Sequence, residues 1–171
     1  MDAGIFIARI IHVLGGILWV GAMVLLAVFL GPAVTDVGPD GGKVMGALMR
    51  RKLMVYIPVV AILTVLSGFY LYWRVSSGFD SAYMGSGPGM TYGIGAAAAI
   101  LAFIVGVSVS RPAMTKVMQL SQRMPTADPS ERAAMTESIQ KLSARGASAG
   151  RVVVALLVIA AAAMAVGRYV Q

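Results

Sequence analysis

Apolar residues run along this chain in four long blocks, without the alternation of a half-buried strand. The blocks cover about 5–30, 53–73, 90–110 and 152–170. Each reaches the roughly 20 residues that carry a helix across a bilayer. Polar and turn-forming stretches separate them: "GPAVTDVGPDGG" breaks the chain after the first block, "SSGFDSAYMGSGPG" parts the second from the third, and "MPTADPS" lies between the third and fourth. The pattern predicts an all-α fold, an integral membrane four-helix bundle forming one domain over residues 1–171. The first block lacks a basic leader and exceeds the roughly 7–15 apolar residues of a cleavable signal, so a permanent helix is expected there.

Helical spacing continues beyond two of the blocks. After Arg111, "AMTKVMQLSQRM" keeps Met114, Val117, Met118 and Leu120 on one side. "ADPSERAAM" then offers a helix start, with Asp128 as N-cap, Pro129 at the first position and Glu131 at the third. Helices three and four are therefore expected to extend into a helical hairpin over about 111–150. That hairpin either packs on itself or offers a docking surface. Gly146 and Gly150 are points where the last helix could bend, and Pro58 should kink the second.

Charge orients the bundle. Lys43, Arg50, Arg51 and Lys52 follow the first block. Arg111, Lys116, Arg123, Arg132, Lys141, Arg145 and Arg151 sit between the third and fourth, leaving Arg9, Arg74 and Arg168 for the other side. The tendency of cations to stay inside places the hairpin in the cytoplasm and both termini outside, in a bacterial-type inner membrane. With 58% hydrophobic and only 12% charged residues, the net charge of +7 points to anionic lipid and away from nucleic acid.

One short stretch complicates this picture. "ARIIHVLGGILWVG" carries the chain's single histidine, His12, about eight residues below the outer end of its helix, or roughly 12 Å down. Arg9, Gly15, Gly16 and Trp19 share its face, with Met23 a further turn on. At the same depth the second helix offers Thr64 to Gly68, including Ser67, the third Ala96–Ala99, and the fourth Ala160–Ala163 below Arg168. Small residues let membrane helices touch closely, and the imidazole could simply bond a neighbouring helix. Alternatively the bundle is thin here to admit a flat macrocycle. His12 would then be an axial ligand, Arg9 and Arg168 would bind its carboxylates, and Gly15, Gly16, Ser67 and Gly68 would shape the slot. A six-coordinate iron would need a second donor such as Met23, whereas a five-coordinate porphyrin needs only the histidine.

Other chemistries find less. No Cys is present, which removes disulfides and thiolate sites. None of the seven carboxylates lies within a block, which argues against a proton relay or cation transporter. "GSGPG" lacks the Lys-Ser/Thr of a phosphate loop, and no acid could orient His12 for serine catalysis. The 12 methionines, with pairs Met45/Met49 and Met114/Met118 and with Met84 and Met90 in the outer loop, suit copper(I) or serve as adaptable filler. Tyr56, Tyr70, Tyr72 and Trp73 stand where interfacial aromatics anchor a span.

With those residues in view, "IHVLGGILWVGAMVLLAVFLGPAV" and "MRRKLMVYIPVVAILTVLSGFYLYW" resemble the small membrane proteins of the CopD/HemJ-like group, over roughly residues 8–75. The group takes in copper-resistance membrane proteins, HemJ-type protoporphyrinogen oxidases and other four-helix relatives. The resemblance implies a helical membrane fold and, through the HemJ-type branch, binding of b-type haem by His12. That branch has a functional lysine near the start of the third helix, where this chain reads "GMTYGIGAAAAILAF", and Lys116 is at the opposite end. Haem binding is thus implied more than that oxidation. The copper branch is typically longer and richer in His and Met. The expected function is haem or related tetrapyrrole binding near the outer face, with a redox or electron-transfer role. A non-catalytic accessory subunit, docked on a membrane-complex partner or self-associated in the lipid bilayer, is the alternative, and copper handling the third.

Overall fold

The computed structural model describes residues 2–170, Pro39 by its backbone alone. Every regular element in that range is helical, and four helices are long and apolar enough to cross a membrane. They are α1 (Ala3–Asp36), α3 (Leu53–Val75), α5 (Gly87–Thr126) and α6 (Pro129–Tyr169). Two shorter helices join them: α2 (Gly41–Arg50) and the single turn α4 (Ser81–Met84). Architecture and fold class are those the apolar blocks predict.

The boundaries depart from the sequence reading in ways that have local causes. "GPAV" does not break the first helix, because α1 continues through Pro32 to Asp36. A proline inside a helix collides with the carbonyl four residues back. Here the preceding stretch Leu25–Leu30 winds more widely, and the Gly31 N–H bonds the carbonyl of Leu26, five residues back. The same device precedes Pro112: Gly106–Ser110 is wide, and the Arg111 N–H reaches Gly106. In both cases the widened turn displaces the offending carbonyl. Helix α5 starts at Gly87, earlier than expected, because the Ser86 hydroxyl caps the Gly89 N–H at 3.2 Å and Pro88 fits its first turn. At Asp128 the predicted helix start is correct, although its side chain makes no capping bond. Helix α3 runs on through Pro58, and α6 is unbroken at Gly146 and Gly150.

Those two glycines serve contact. A Cβ on Gly146 would stand 3.8 Å from that of Ala113, and one on Gly150 3.6 Å from that of Ala27. The hairpin thus packs on itself, with Met135 buried within it. Its turn is held by Arg132, whose Nε donates to the Ala127 carbonyl at 2.8 Å.

Helices pair α1 with α3 and α5 with α6, and one buried layer joins the pairs. Trp19 fills its centre against Ala61, Ala102, Val153 and Leu157, so all four long helices contribute. The indole is 3% exposed because its neighbours on α3 and α5 are alanines. Both chain ends lie at one end of the bundle. There Asp2 caps the Gly4 N–H at 2.8 Å and pairs with Arg74 at 2.6 Å, clamping the start of α1 to the end of α3.

Close contacts at glycine set the tightness of this packing. A Cβ on Gly89 would stand 1.9 Å from the Tyr83 carbonyl, whereas one on Gly21 meets nothing within 4 Å. Gly89→Ala should therefore destabilise the bundle by about 1–3 kcal/mol, through forced backbone movement. Gly21→Ala should be neutral or slightly stabilising, since alanine suits a helix interior better. Thermal unfolding of the two variants in detergent would show the contrast.

Candidate functional site

Residues three, four and seven apart share a helix face, so α1 turns Ala8, His12, Gly15 and Trp19 together toward α3. The two helices touch through complementary hollows. A Cβ on Gly15 would stand 2.5 Å from the Thr64 hydroxyl, and one on Gly68 would stand 2.6 Å from Cε1 and 2.8 Å from Nδ1 of His12. One glycine on each helix therefore makes room for the polar side chain of the other. Into the Gly68 hollow the half-buried imidazole lies flat enough for its Nδ1 to come 2.8 Å from the Thr64 carbonyl. A carbonyl only accepts, so in the neutral ring Nδ1 carries the proton and Nε2 keeps a lone pair. Among the described residues Nε2 has no hydrogen-bond partner.

The surrounding hydroxyls are spent locally. Thr64 Oγ1 donates to the Val60 carbonyl at 2.8 Å, and Ser67 Oγ to that of Leu63 at 2.6 Å. Thr64 was legible only as part of a level on the second helix, and its backbone oxygen, the group that matters, has no sequence signature. Beside this contact an apolar groove of about 370 Å³ opens between α1 and α3, lined by Ile7, Ala8, Ile11, Leu63, Leu66 and Ser67 among others. Its aliphatic rim faces the outside of the bundle, with Leu66 63% exposed.

The residues singled out from sequence fall into three groups. Gly15, Gly68 and His12 meet at the contact between α1 and α3, and Ser67 stands next to it. Arg9 and Gly16 lie on the neighbouring face of α1. Arg9 is exposed and makes no ion pair or hydrogen bond among the described residues. Gly16 has space, since a Cβ there would make only a 3.9 Å contact with Thr64. Trp19, Met23 and Arg168 stand apart. Trp19 seals the bundle seven residues below His12, and Met23 packs against that seal. Eleven residues of helix put Met23 about 16 Å from His12 along the axis, so the structure does not bring these two together. Arg168 is held by its neighbour, its guanidinium 4.5 Å over the Tyr169 ring and bonded to that hydroxyl.

The small residues at the matching depth of the other pair also close a contact. A Cβ on Gly95 would stand 3.1 Å from that of Ala163 and 3.3 Å from the Ala160 carbonyl. Neither pair is held apart at this level. Toward the terminal end, Tyr72 donates to the Gly89 carbonyl at 2.6 Å. Nearby, burial, and then the Tyr92 and Tyr72 phenols, push the Tyr83 hydroxyl above its usual range. No group of three or more His, Cys, Asp or Glu side chains suited to a metal occurs among the described residues. No family model, curated protein or solved structure matches the chain.

The fit of His12 into the Gly68 hollow can be measured as a coupling. Gly68→Ala should destabilise the fold, by displacing the ring, and His12→Ala should cost about 1 kcal/mol as one interhelical bond is lost. The double variant should be more stable than Gly68→Ala alone, because the added methyl then enters vacated space. Chemical or thermal unfolding of the three variants gives the coupling, and strict additivity would contradict the contact.

Proposed function

We propose that this protein holds haem or a related metal tetrapyrrole through His12, near the end of the bundle that carries both chain termini. One observation supports the reading above the others: the Nδ1–H is committed to a main-chain carbonyl, and Nε2 is left with its lone pair and no partner among the described residues. Metal-binding histidines are usually oriented in this way, the second nitrogen fixing the tautomer and the ring plane. Arg9, one turn away and unpaired among the described residues, would bind a propionate, and Gly16 leaves its side of α1 uncluttered. Gly15, Gly68 and Ser67 would act indirectly, by seating the imidazole. The bound group would supply one-electron chemistry, and His12 would hold it through Nε2. The likeness of residues 8–75 to CopD/HemJ-like proteins agrees with this assignment.

The accessory-subunit reading has its own support. Gly15, Gly68 and Gly95, at the His12 level, each close a contact between helices, and a hydrogen bond between two helices is by itself a sufficient reason to keep a histidine. Visible spectra of detergent-purified protein separate the two. The tetrapyrrole reading requires a Soret band that His12→Ala abolishes and Arg9→Gln weakens. A colourless wild type, or a His12→Ala preparation with full pigment, leaves the accessory role. Copper handling would show as stoichiometric Cu(I) uptake in equilibrium dialysis.

The proposed setting is an inner membrane, with the cation-rich hairpin on the cytoplasmic side. Because the chain has no cysteine, single replacements give a clean readout. Ser86→Cys, between α4 and α5, should react with an impermeant maleimide added to intact cells. Ser121→Cys, in the hairpin, should react only after permeabilisation.

A further inference from the structure

The helices leave the apolar zone at one level, which the contacts define. His12 on Gly68 and Gly15 on Thr64 fix an antiparallel register for α1 and α3, and counting along the axis from those contacts brings Leu53 to about the height of Ala27. Ala27 in turn touches Gly150 of α6, and Gly146 touches Ala113 of α5. Leu53, Gly150 and Ala113 are each adjacent or close in sequence to cations: Arg50, Arg51 and Lys52 before α3, Arg151 on α6 and Arg111 on α5. Five cations therefore stand at about one height along the bundle axis. All five are exposed, and none pairs with a carboxylate among the described residues.

Neighbouring carboxylates do not neutralise this group. Asp40 pairs with Lys43 at 2.7 Å and Glu137 with Lys141 at 2.6 Å. Asp128 and Glu131 lie at the hairpin tip, more than ten residues of helix away, and Asp36 is at the far end of α1. Those separations exceed the roughly 8 Å screening length at physiological salt. On the other side of these cations the helices turn apolar surface outward. Val55 and Val59 on α3, Ile104 and Val107 on α5 and Val152 on α6 are 38–55% exposed. A ligand that places an anion at the cations and continues as hydrocarbon along these side chains meets both requirements.

We infer that Arg50, Arg51, Lys52, Arg111 and Arg151 form a collar that binds the phosphodiester headgroups of anionic phospholipids. Guanidinium groups bind phosphate oxygens in paired hydrogen bonds, and the outward valines and isoleucine accommodate the acyl chains. Free phosphate would use only the first half of this site, which is why the assignment is to lipid.

The test uses the full chain in nanodiscs and in native mass spectrometry. Thermal stability should be higher in phosphatidylglycerol than in phosphatidylcholine discs, and phosphatidylglycerol should be retained preferentially in the gas phase. The preference should fall about five-fold for each collar cation replaced, as in Arg111→Gln and Arg151→Gln. Lys116→Gln, on the hairpin beyond the collar, should change it little. Raising salt from 50 to 500 mM on the unmodified chain should also erode the preference, so the outcome does not hang on variants that fold poorly. Equal behaviour in the two lipids, variants that keep the full preference, or inorganic phosphate at millimolar concentration reproducing the stabilisation would each overturn the collar.

Discussion

Backbones of membrane helices approach closely only where side chains disappear, and a polar side chain between them survives only if it is paired. Lipid offers no water to satisfy a stray donor, and no hydrophobic force to press the helices together. The contact between α1 and α3 meets both conditions with the same residues. Gly68 vanishes so that the imidazole can reach the Thr64 carbonyl, and Gly15 vanishes so that the Thr64 hydroxyl can stay bonded to its own helix. From this contact follow the register of α1 on α3, the depth of His12 and the tautomer it adopts.

Seven residues farther along, the same register sets Trp19 against Ala61. There the packing inverts, one large ring against small neighbours from α3 and α5 and two aliphatic side chains of α6. The pairs α1–α3 and α5–α6 are each closed by small residues, and this indole layer fastens one pair to the other. It also seals the space below His12 from the hairpin end, so any chemistry at Nε2 belongs to the end of the bundle where the chain begins and finishes. The Asp2–Arg74 clamp and the Tyr72–Gly89 bond hold that end together.

The membrane helices and the hairpin were legible because they rest on runs of hydropathy and on a helix-start motif, both properties of single segments. His12, Gly15 and Gly68 were legible as unusual residues at one depth. What the sequence could not supply was their partner, since a carbonyl oxygen is present at every position and only the register selects that of Thr64. The glycines were ambiguous for a similar reason. A glycine that makes space for a ligand and one that makes space for a histidine look alike until the facing helix is known. The continuation of α1 through Gly31-Pro32 was not legible, because a Gly- and Pro-rich stretch ordinarily ends a helix, whereas a single widened turn upstream removes the collision.

Those widened turns bear on how the bundle sits in its solvent. Helix α1 has 34 residues and α5 and α6 have 40 and 41, all longer than the roughly 20 that span a bilayer. Length alone would let them slide. Leu25–Leu30 and Gly106–Ser110 both lie at the level where Ala27 meets Gly150, near Arg111 and Arg151, which pair with no carboxylate among the described residues. A wide turn shifts backbone carbonyls off the helical ladder, and prolines follow each one without an N–H to offer. The Ser110 hydroxyl, buried and without a partner among the described residues, sits in the second of them. Such irregular backbone is costly in hydrocarbon and tolerable where water or headgroups are near. The cations, the prolines and the glycine contact therefore favour the same boundary for independent reasons, one that helix length alone leaves free.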